Sequence, residues 1–403
     1  MKKAITVFAA LCLAATLTAC GTDSGANPDN SQENGGNDNN TNNNNNEETT
    51  TMSVELKEEN FKELGRTYYD DGKIYCALSG TGVEFTFTGT ACSVTITGDS
   101  SSTNPSAKDN QARVGIYVNG ERVVDDMIDN AEETYEVFKS DTEQSVEVKI
   151  VKLSESPHST YAISDITVTG KDVKPTADKE LFIEFVGDSI TCGYGVDDEV
   201  KEHNFSTTTE DVTKAYAYKT AQLLNADYSM VSFSGYGIIS GYSDGENKVS
   251  SQTVPQYYTK LGYSWTNNPD FSPASLSWDF SKRQPDIIVI NLGTNDDSYC
   301  KNIEERCLEY QQEYVNFLKT VRENNPDALI IGALGVMGQN LCPYVEAAIA
   351  QYSEETGDTN VDYLMFDQQN PRDGLAADWH PTETTHEKAA GKLAEKINEV
   401  LAQ

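Results

Sequence analysis

The chain reads as two folded bodies in series: an all-β sandwich or jelly roll, followed by an α/β domain on a three-layer, flavodoxin-like parallel sheet. Three observations predict this. The apolar pattern has period two from Ser53 to about Thr169. From about Lys179 it changes to continuous apolar runs that alternate with helix-like stretches. From Gly21 to Met52 the chain lacks the apolar side chains that a core requires. The boundaries are 1–19 for a leader, 20–52 for a tether, 53–175 for the β body and 176–403 for the α/β body.

In the leader, Lys2 and Lys3 precede an apolar run from Ala4 to Leu17, too short and wrongly flanked for a spanning helix. The run ends in Leu17-Thr18-Ala19-Cys20, which resembles the lipobox of bacterial lipoproteins. That resemblance implies an exported chain, lipid-anchored through Cys20 at the outer face of the bacterial cell membrane or the cell surface. The tether is Asn-, Gly- and Asp-rich, includes the run Asn42 to Asn46, and has no aromatic residue. As a flexible coil it spans roughly 30 Å and holds the folded bodies off the membrane.

Removing Lys2 and Lys3 takes the net charge from −34 to −36. Such a surface excludes nucleic acid as a partner and leaves the lipid as the only membrane contact. Beyond Cys12 and Cys20 there are six cysteines, at 76, 92, 192, 300, 307 and 342. No CxxC pair or Cys/His spacing points to a metal. Export permits disulfides, and buried free thiols are the equal alternative.

In the β body, alternation runs through Val83 to Phe87, Val94 to Thr97, Val114 to Val118, Val146 to Ile150 and Ile163 to Val168. Asn119-Gly120 between two such runs signals a hairpin. Many short strands are therefore expected, with residues 170–178 as a short link stiffened by Pro175. In the α/β body, apolar runs at 181–186, 228–233, 287–292, 328–334 and 361–366 alternate with helical stretches at 214–224, 303–322 and 343–352. A last helix is expected over 385–401, with Thr384 and Glu387 as its capping box. Continuous apolar strands belong to a parallel sheet covered on both faces, whose ligands lie beyond the strands' carboxyl ends.

The residues after those strands carry the chemistry. Gly187-Asp188-Ser189 follows the first run and Ser234-Gly235-Tyr236-Gly237 the second. Gly293-Thr294-Asn295-Asp296 follows the third, and Asp378-Trp379-His380-Pro381 precedes the last helix. Each block alone is an ordinary turn. Together they bring a hydroxyl, a glycine backbone, an amide and an imidazole with a nearby carboxylate to one edge, which is the inventory of a serine esterase. Asp188 reads as the residue that fixes the serine loop, and His386 lies outside the site.

The order of these blocks resembles the SGNH (GDSL-type) hydrolase superfamily. An α/β-hydrolase would place its serine in Gly-x-Ser-x-Gly at mid-chain. With "GDSITCGYG", "SGYGI", "DWHPTETTH" and the N-terminal "GRTYYDDGKIYCALSGTGVEFTFTGT", the chain is similar to carbohydrate esterase family 2. The resemblance implies a serine esterase that removes O-acetyl groups from plant-type polysaccharides such as xylan and glucomannan, with no cofactor. It assigns Ser189 as nucleophile, His380 as base and Asp378 as its acid, with a backbone carbonyl of the same loop as the alternative partner of the imidazole. The oxyanion donors are the Ser189 and Gly235 N–H groups and the Asn295 amide. Trp379, Tyr194 and Tyr236 are the candidates for a stacking floor under a sugar ring. Two departures stand out. The superfamily's acid position, three residues before the histidine, holds Ala377, and Asp297 replaces a more typical apolar residue. A lipid or short-chain ester hydrolase on the same triad is the rival within the chemistry. An inactive surface glycan-binding lipoprotein is the rival outside it.

Overall fold

A computed structural model describes residues 50–402 apart from positions 267 and 269. The leader, Cys20 and nearly all of the tether lie outside the described residues. The tether's expected last residues do not belong to it, because Thr51 and Met52 form a strand on the front body.

That body contains β1 (Thr51–Ser53), β2 (Lys62–Leu64), β3 (Tyr68–Asp70), β4 (Lys73–Cys76), β5 (Gly82–Gly98), β6 (Arg113–Val118), β7 (Glu121–Met127), β8 (Glu132–Lys152) and β9 (Tyr161–Pro175). Among the described residues these nine form one antiparallel sheet along β3-β4-β9-β5-β8-β6-β7, with β1 on β9 and β2 on β5. Asn119-Gly120 makes the expected β6–β7 hairpin, with both residues left-handed at φ 51° and 85°.

Six of these strands are short, as expected, at 3 to 7 residues, but they are not the frame. The body is built on three long ones, of 17, 21 and 15 residues. Along β5 the buried positions pass from Val83, Phe85 and Phe87 to Cys92, Val94 and Ile96, from odd to even numbers. A register slip between Gly89 and Ala91 absorbs the change. There Gly89 faces Gly170 across the β5–β9 pair, and a Cβ on either would lie 2.3 Å from the opposite backbone oxygen. The alternation breaks in the sequence at this point, but the strand continues through the bulge. Likewise 171–175 are not a free link, since β9 pairs with β5 as far as Pro175.

The second body contains β10 (Phe182–Gly187), α1 (Ser189–Cys192), α2 (Tyr216–Leu223), β11 (Asp227–Ser232), β12 (Ile287–Asn291), α3 (Thr294–Cys300), α4 (Glu304–Asn324), β13 (Leu329–Leu334), α5 (Cys342–Thr356), β14 (Val361–Met365) and α6 (Glu383–Leu401). Its five strands are parallel in the order β11-β10-β12-β13-β14. Ile183, Phe185, Val289 and Ile331 face α2 and α6, packing on Tyr216, Leu393 and Ile397. Val186, Ile288, Ile290 and Ile330 face α4 and α5, packing on Tyr314, Leu318 and Val345. Apolar cover on both faces explains runs without alternation. The expected capping box is absent: α6 starts one residue before Thr384, Thr382 is its N-cap without a side-chain cap bond, and Glu387 pairs with Lys219.

The two bodies form one compact unit. The front body closes over the edge strand β11, all six of whose residues are buried. Val151 and Leu153 join the α2/α6 core and Leu78 joins the α4/α5 core. Buried Arg66 reaches across with Nη2 3.2 and 3.1 Å from the two Glu184 oxygens. Its Nη1 donates to Tyr258 O at 2.5 Å and Lys260 O at 2.9 Å. Lys62 Nζ adds a pair with Asp227 at 2.5 Å.

A buried pair is costly to break from one side, because the remaining charge loses its partner. Arg66→Ala should therefore lower unfolding free energy by about 3–5 kcal/mol, read from a denaturant midpoint. A chain beginning at Lys179 should be aggregated or unfolded by light scattering and circular dichroism. Monodisperse, native-like behaviour of that fragment would contradict the seam.

Candidate active site

The strand ends deliver four groups to one cleft of about 490 Å³. β10 ends in Gly187, and Asp188 caps α1 with Oδ1 3.1 Å from the Ile190 N–H. This is the loop-fixing role expected of it. Its carboxyl is fully buried, and burial pushes its pKa up to about 7. Ser189 opens the helix with its Oγ 2.9 Å from His380 Nε2.

His380 follows a turn in which two successive non-glycine residues are left-handed, Asp378 at φ 50° and Trp379 at φ 57°. Such residues cost on the order of 1–3 kcal/mol each and persist only where the surroundings hold them. Ala377 N–H donates to Asp198 O at 3.1 Å and Asp378 N–H to His203 O at 3.0 Å. Gln369 Nε2 donates to Trp379 O at 2.9 Å. The turn brings the carbonyls of Ala377 and Asp378 to 3.2 and 3.1 Å from His380 Nδ1. Two acceptors there require an N–H at Nδ1, which leaves Nε2 free to take the serine proton.

The expected role of Asp378 as the acid is corrected. Left-handed backbone swings its carbonyl, and not its carboxylate, onto the ring. Asp378 Oδ2 instead accepts the Tyr194 hydroxyl at 2.6 Å. The Tyr194 ring stacks on the imidazole with centroids 3.9 Å apart and planes at 20°. The site is a serine–histidine dyad whose orienting acceptors are backbone. Desolvation holds His380 down at about 4, opposed by the two carbonyls and the Asp378 charge.

On the oxyanion side, Gly235 sits at φ 80° where an added Cβ would meet open space, so its glycine answers to backbone angle alone. Asn295, on the first turn of α3, donates Nδ2 to Tyr236 O at 2.8 Å and so ties that loop to the amide. Ser189, Gly235, Asn295 and His380 line one cleft.

Residues 185–388 match the GDSL-like lipase/acylhydrolase family, and residues 64–176 match the N-terminal domain of carbohydrate esterase 2. The chain belongs to the GDSL-like lipase/acylhydrolase family. Cellulase/esterase CelE of Acetivibrio thermocellus is 31% identical over 331 residues, covering 81% of this chain and only 38% of that protein. An acetylxylan esterase/glucomannan deacetylase of Cellvibrio japonicus is 23% identical over 356 residues, 87% of this chain and 92% of that protein. A solved family two carbohydrate esterase from Clostridium thermocellum, in complex with cellohexaose, has a TM-score of 0.72 at 28% identity. That likeness covers 85% of this chain and 99% of the other.

Of the three expected aromatics, this GDSL-type site uses them differently. Trp379 is half exposed and lines the cleft. Tyr194 lines it too, but its ring backs the imidazole. Tyr236 is buried with Phe233 and Tyr257, so only its backbone serves the site. Its expected role as a stacking ring is corrected. The departure Asp297 accepts Asn340 Nδ2 at 3.0 Å, away from the dyad. His386 Nδ1 accepts the Tyr216 N–H at 3.1 Å, inside the core.

Several residues escaped the motif blocks. Asp296 accepts the N–H groups of Ile238, Ile239 and Ser240 within 3.0 Å and pins the segment after Gly235. His158 and Phe205 stack at 4.4 Å as a wall of the cleft. Below that wall, Glu155, Cys192 and Glu210 bring their polar atoms within 4.8 Å of one another in full burial. Burial and the adjacent carboxyls push the Cys192 thiol well up. Among the described residues the six cysteines are free and buried.

A base held near 4 must be neutral to act, so activity should persist well below the ordinary histidine value. The acidic limb of kcat/KM should fall near pH 4 and not near 6.5. Asp378→Asn should cost less than about tenfold in kcat and move that limb slightly lower, because the Asp378 charge that raises His380 is lost, whereas removing a true triad acid would cost about 10⁴. Asn295→Ala should lower kcat by about 10²–10³ with little change in KM.

Proposed function

We propose that the chain is a serine esterase that removes O-acetyl groups from plant-type polysaccharides such as xylan and glucomannan. The observation that carries this is the 2.9 Å contact between His380 Nε2 and Ser189 Oγ, on the floor of a cleft shared with Gly235 and Asn295. It supports the reading together with relatives named for acetylxylan and glucomannan deacetylation. His380 takes the Ser189 proton as Oγ attacks the acetyl carbonyl. The tetrahedral oxyanion is met by the Ser189 and Gly235 N–H groups and the Asn295 amide. Collapse expels the sugar alkoxide, which leaves with the proton from His380. Water then repeats the sequence on the acetyl-enzyme and releases acetate. Backbone carbonyls at Nδ1 hold the tautomer and stabilise the imidazolium in both steps. Trp379, half exposed beside the base, is the ring offered to the sugar.

The same proposal covers export and lipid anchoring at Cys20, supported by the Lys2-Lys3 leader, its short apolar run and the Leu-Thr-Ala-Cys end. It holds the enzyme at the cell surface, on a tether, facing polymers too large to enter.

The purified chain should release acetate from acetylated xylan, acetylated glucomannan and a chromogenic acetate. Ser189→Ala should fold normally and lose nearly all of that activity. Turnover of long-chain esters with none of acetyl esters would instead establish the lipid-esterase reading.

A further inference from the structure

Ser234 leaves the sheet just past the last β10–β11 ladder pair, Gly187 with Ser232. Its N–H therefore has no strand partner, and it immediately precedes the glycine offered to the oxyanion. The group that takes it is Glu155 Oε2, at 2.7 Å. Glu155 does not belong to the α/β body. It comes from the loop between β8 and β9 of the front body, and it is fully buried. The same oxygen receives the Cys192 thiol from the nucleophile helix α1 at 3.8 Å. Two bonds fix the Glu155 backbone in turn: its N–H donates to Glu210 Oε2 at 2.9 Å, and Lys152 Nζ donates to its carbonyl at 3.1 Å. On the far side of the glycine, the Tyr242 N–H donates to Gly235 O at 2.8 Å.

We infer that Glu155 is a positioning residue for the oxyanion hole: by holding the Ser234 N–H from the front body, it fixes the Gly235 N–H against Ser189. The peptide between Ser234 and Gly235 is held through its two neighbours: Glu155 accepts the N–H of the peptide before it, and the Tyr242 N–H donates to the carbonyl of the peptide after it. Without Glu155 a buried donor is orphaned and the left-handed glycine is free to turn. The inference rests on the esterase reading for its role in turnover.

The test uses the full chain with Glu155→Ala and Glu155→Gln. Glutamine keeps an acceptor for Ser234, and its NH₂ can meet the Glu210 oxygen that otherwise has no partner. kcat and KM are measured on a chromogenic acetate, per site titrated at Ser189 with a fluorophosphonate. Glu155→Ala should lower kcat per titrated site by about 10–100-fold with KM within about twofold, and Gln should recover most of the loss. The rate of phosphonate labelling should fall in parallel, because its P=O oxygen lies in the same hole. If kcat per titrated site stays within about threefold in the Ala variant, the inference is wrong and Glu155 only packs. Equal losses in Ala and Gln that appear solely as fewer titratable sites would also overturn it. Where the Ala variant does not fold, Glu155→Asp carries the same test, since it keeps the charge and withdraws the acceptor. A wild type that labels at Ser189 but releases no acetate would sink the esterase reading, while the labelling rates still judge Glu155.

Discussion

The closure of the front body over β11 is the constraint on which the rest of the site depends. A five-stranded parallel sheet has two edges, and here they differ. β14 is mostly half exposed, whereas β11 is buried throughout. The Tyr228 hydroxyl donates to Gly80 O at 3.1 Å, and a Cβ on Gly80 would lie 3.0 Å from the Tyr228 ring. The edge that carries the oxyanion loop is thus packed as tightly as a central strand. An uncovered edge would leave that loop hanging from the least restrained strand. The buried Arg66–Glu184 pair suits this seam: it satisfies both charges only when the two bodies are in one register, so it specifies the placement more than it stabilises it.

Placement matters because the base is held by groups that cannot titrate. Two neutral carbonyls stabilise an imidazolium less than a carboxylate does, consistent with His380 sitting near 4. In exchange, the orienting acceptors stay fixed over the whole range in which an aspartate would protonate. The cost is the strain of two left-handed residues, on the order of 1–3 kcal/mol each, offset by the hydrogen bonds that brace the turn, donated to Asp198 O and His203 O and received from Gln369. Tyr194 completes the arrangement. It covers the imidazole face and engages the Asp378 carboxylate, which keeps that charge near the ring without letting it compete for Nδ1.

The parts legible in the sequence were those that a strand end repeats locally. The five parallel strands stood out as apolar runs, and Ser189, Gly235, Asn295 and His380 each followed one. What stayed hidden had non-local causes. Asp378 sits where an acid belongs by proximity, and only the sign of φ, which sequence does not display for an aspartate, turns it away. Tyr236 stands at a strand end beside the oxyanion glycine, the position of a cleft aromatic, but its ring points into the α4/α5 core. The β5 bulge broke a period-two pattern that was otherwise clear. Glu155 and His158 were invisible for another reason. They lie in "LSESPHST", a run without apolar periodicity that resembles an exposed turn, yet nearly every residue in it is buried. A long polar segment between two strong strands, rich in small hydroxyl residues and flanked by a lysine, was the available signal.

That buried loop changes what the front body is for. Its residues make no bond to a reacting atom, yet they supply a wall of the cleft through His158 and the partner of Ser234 through Glu155. The dyad and its oxyanion donors all come from strand ends of the α/β body, so the acyl-transfer chemistry is local to that fold. The width and floor of the cleft come from elsewhere: Phe205 and Trp379 from loops, His158 from the other body. Changes to those walls alter which ester reaches Ser189 without disturbing the 2.9 Å contact that performs the reaction. A change at Glu155 does the reverse, leaving the cleft's shape in place and loosening the hole. Selectivity and rate therefore pass through the same loop by two neighbouring residues, only three positions apart, which ties the front body to both.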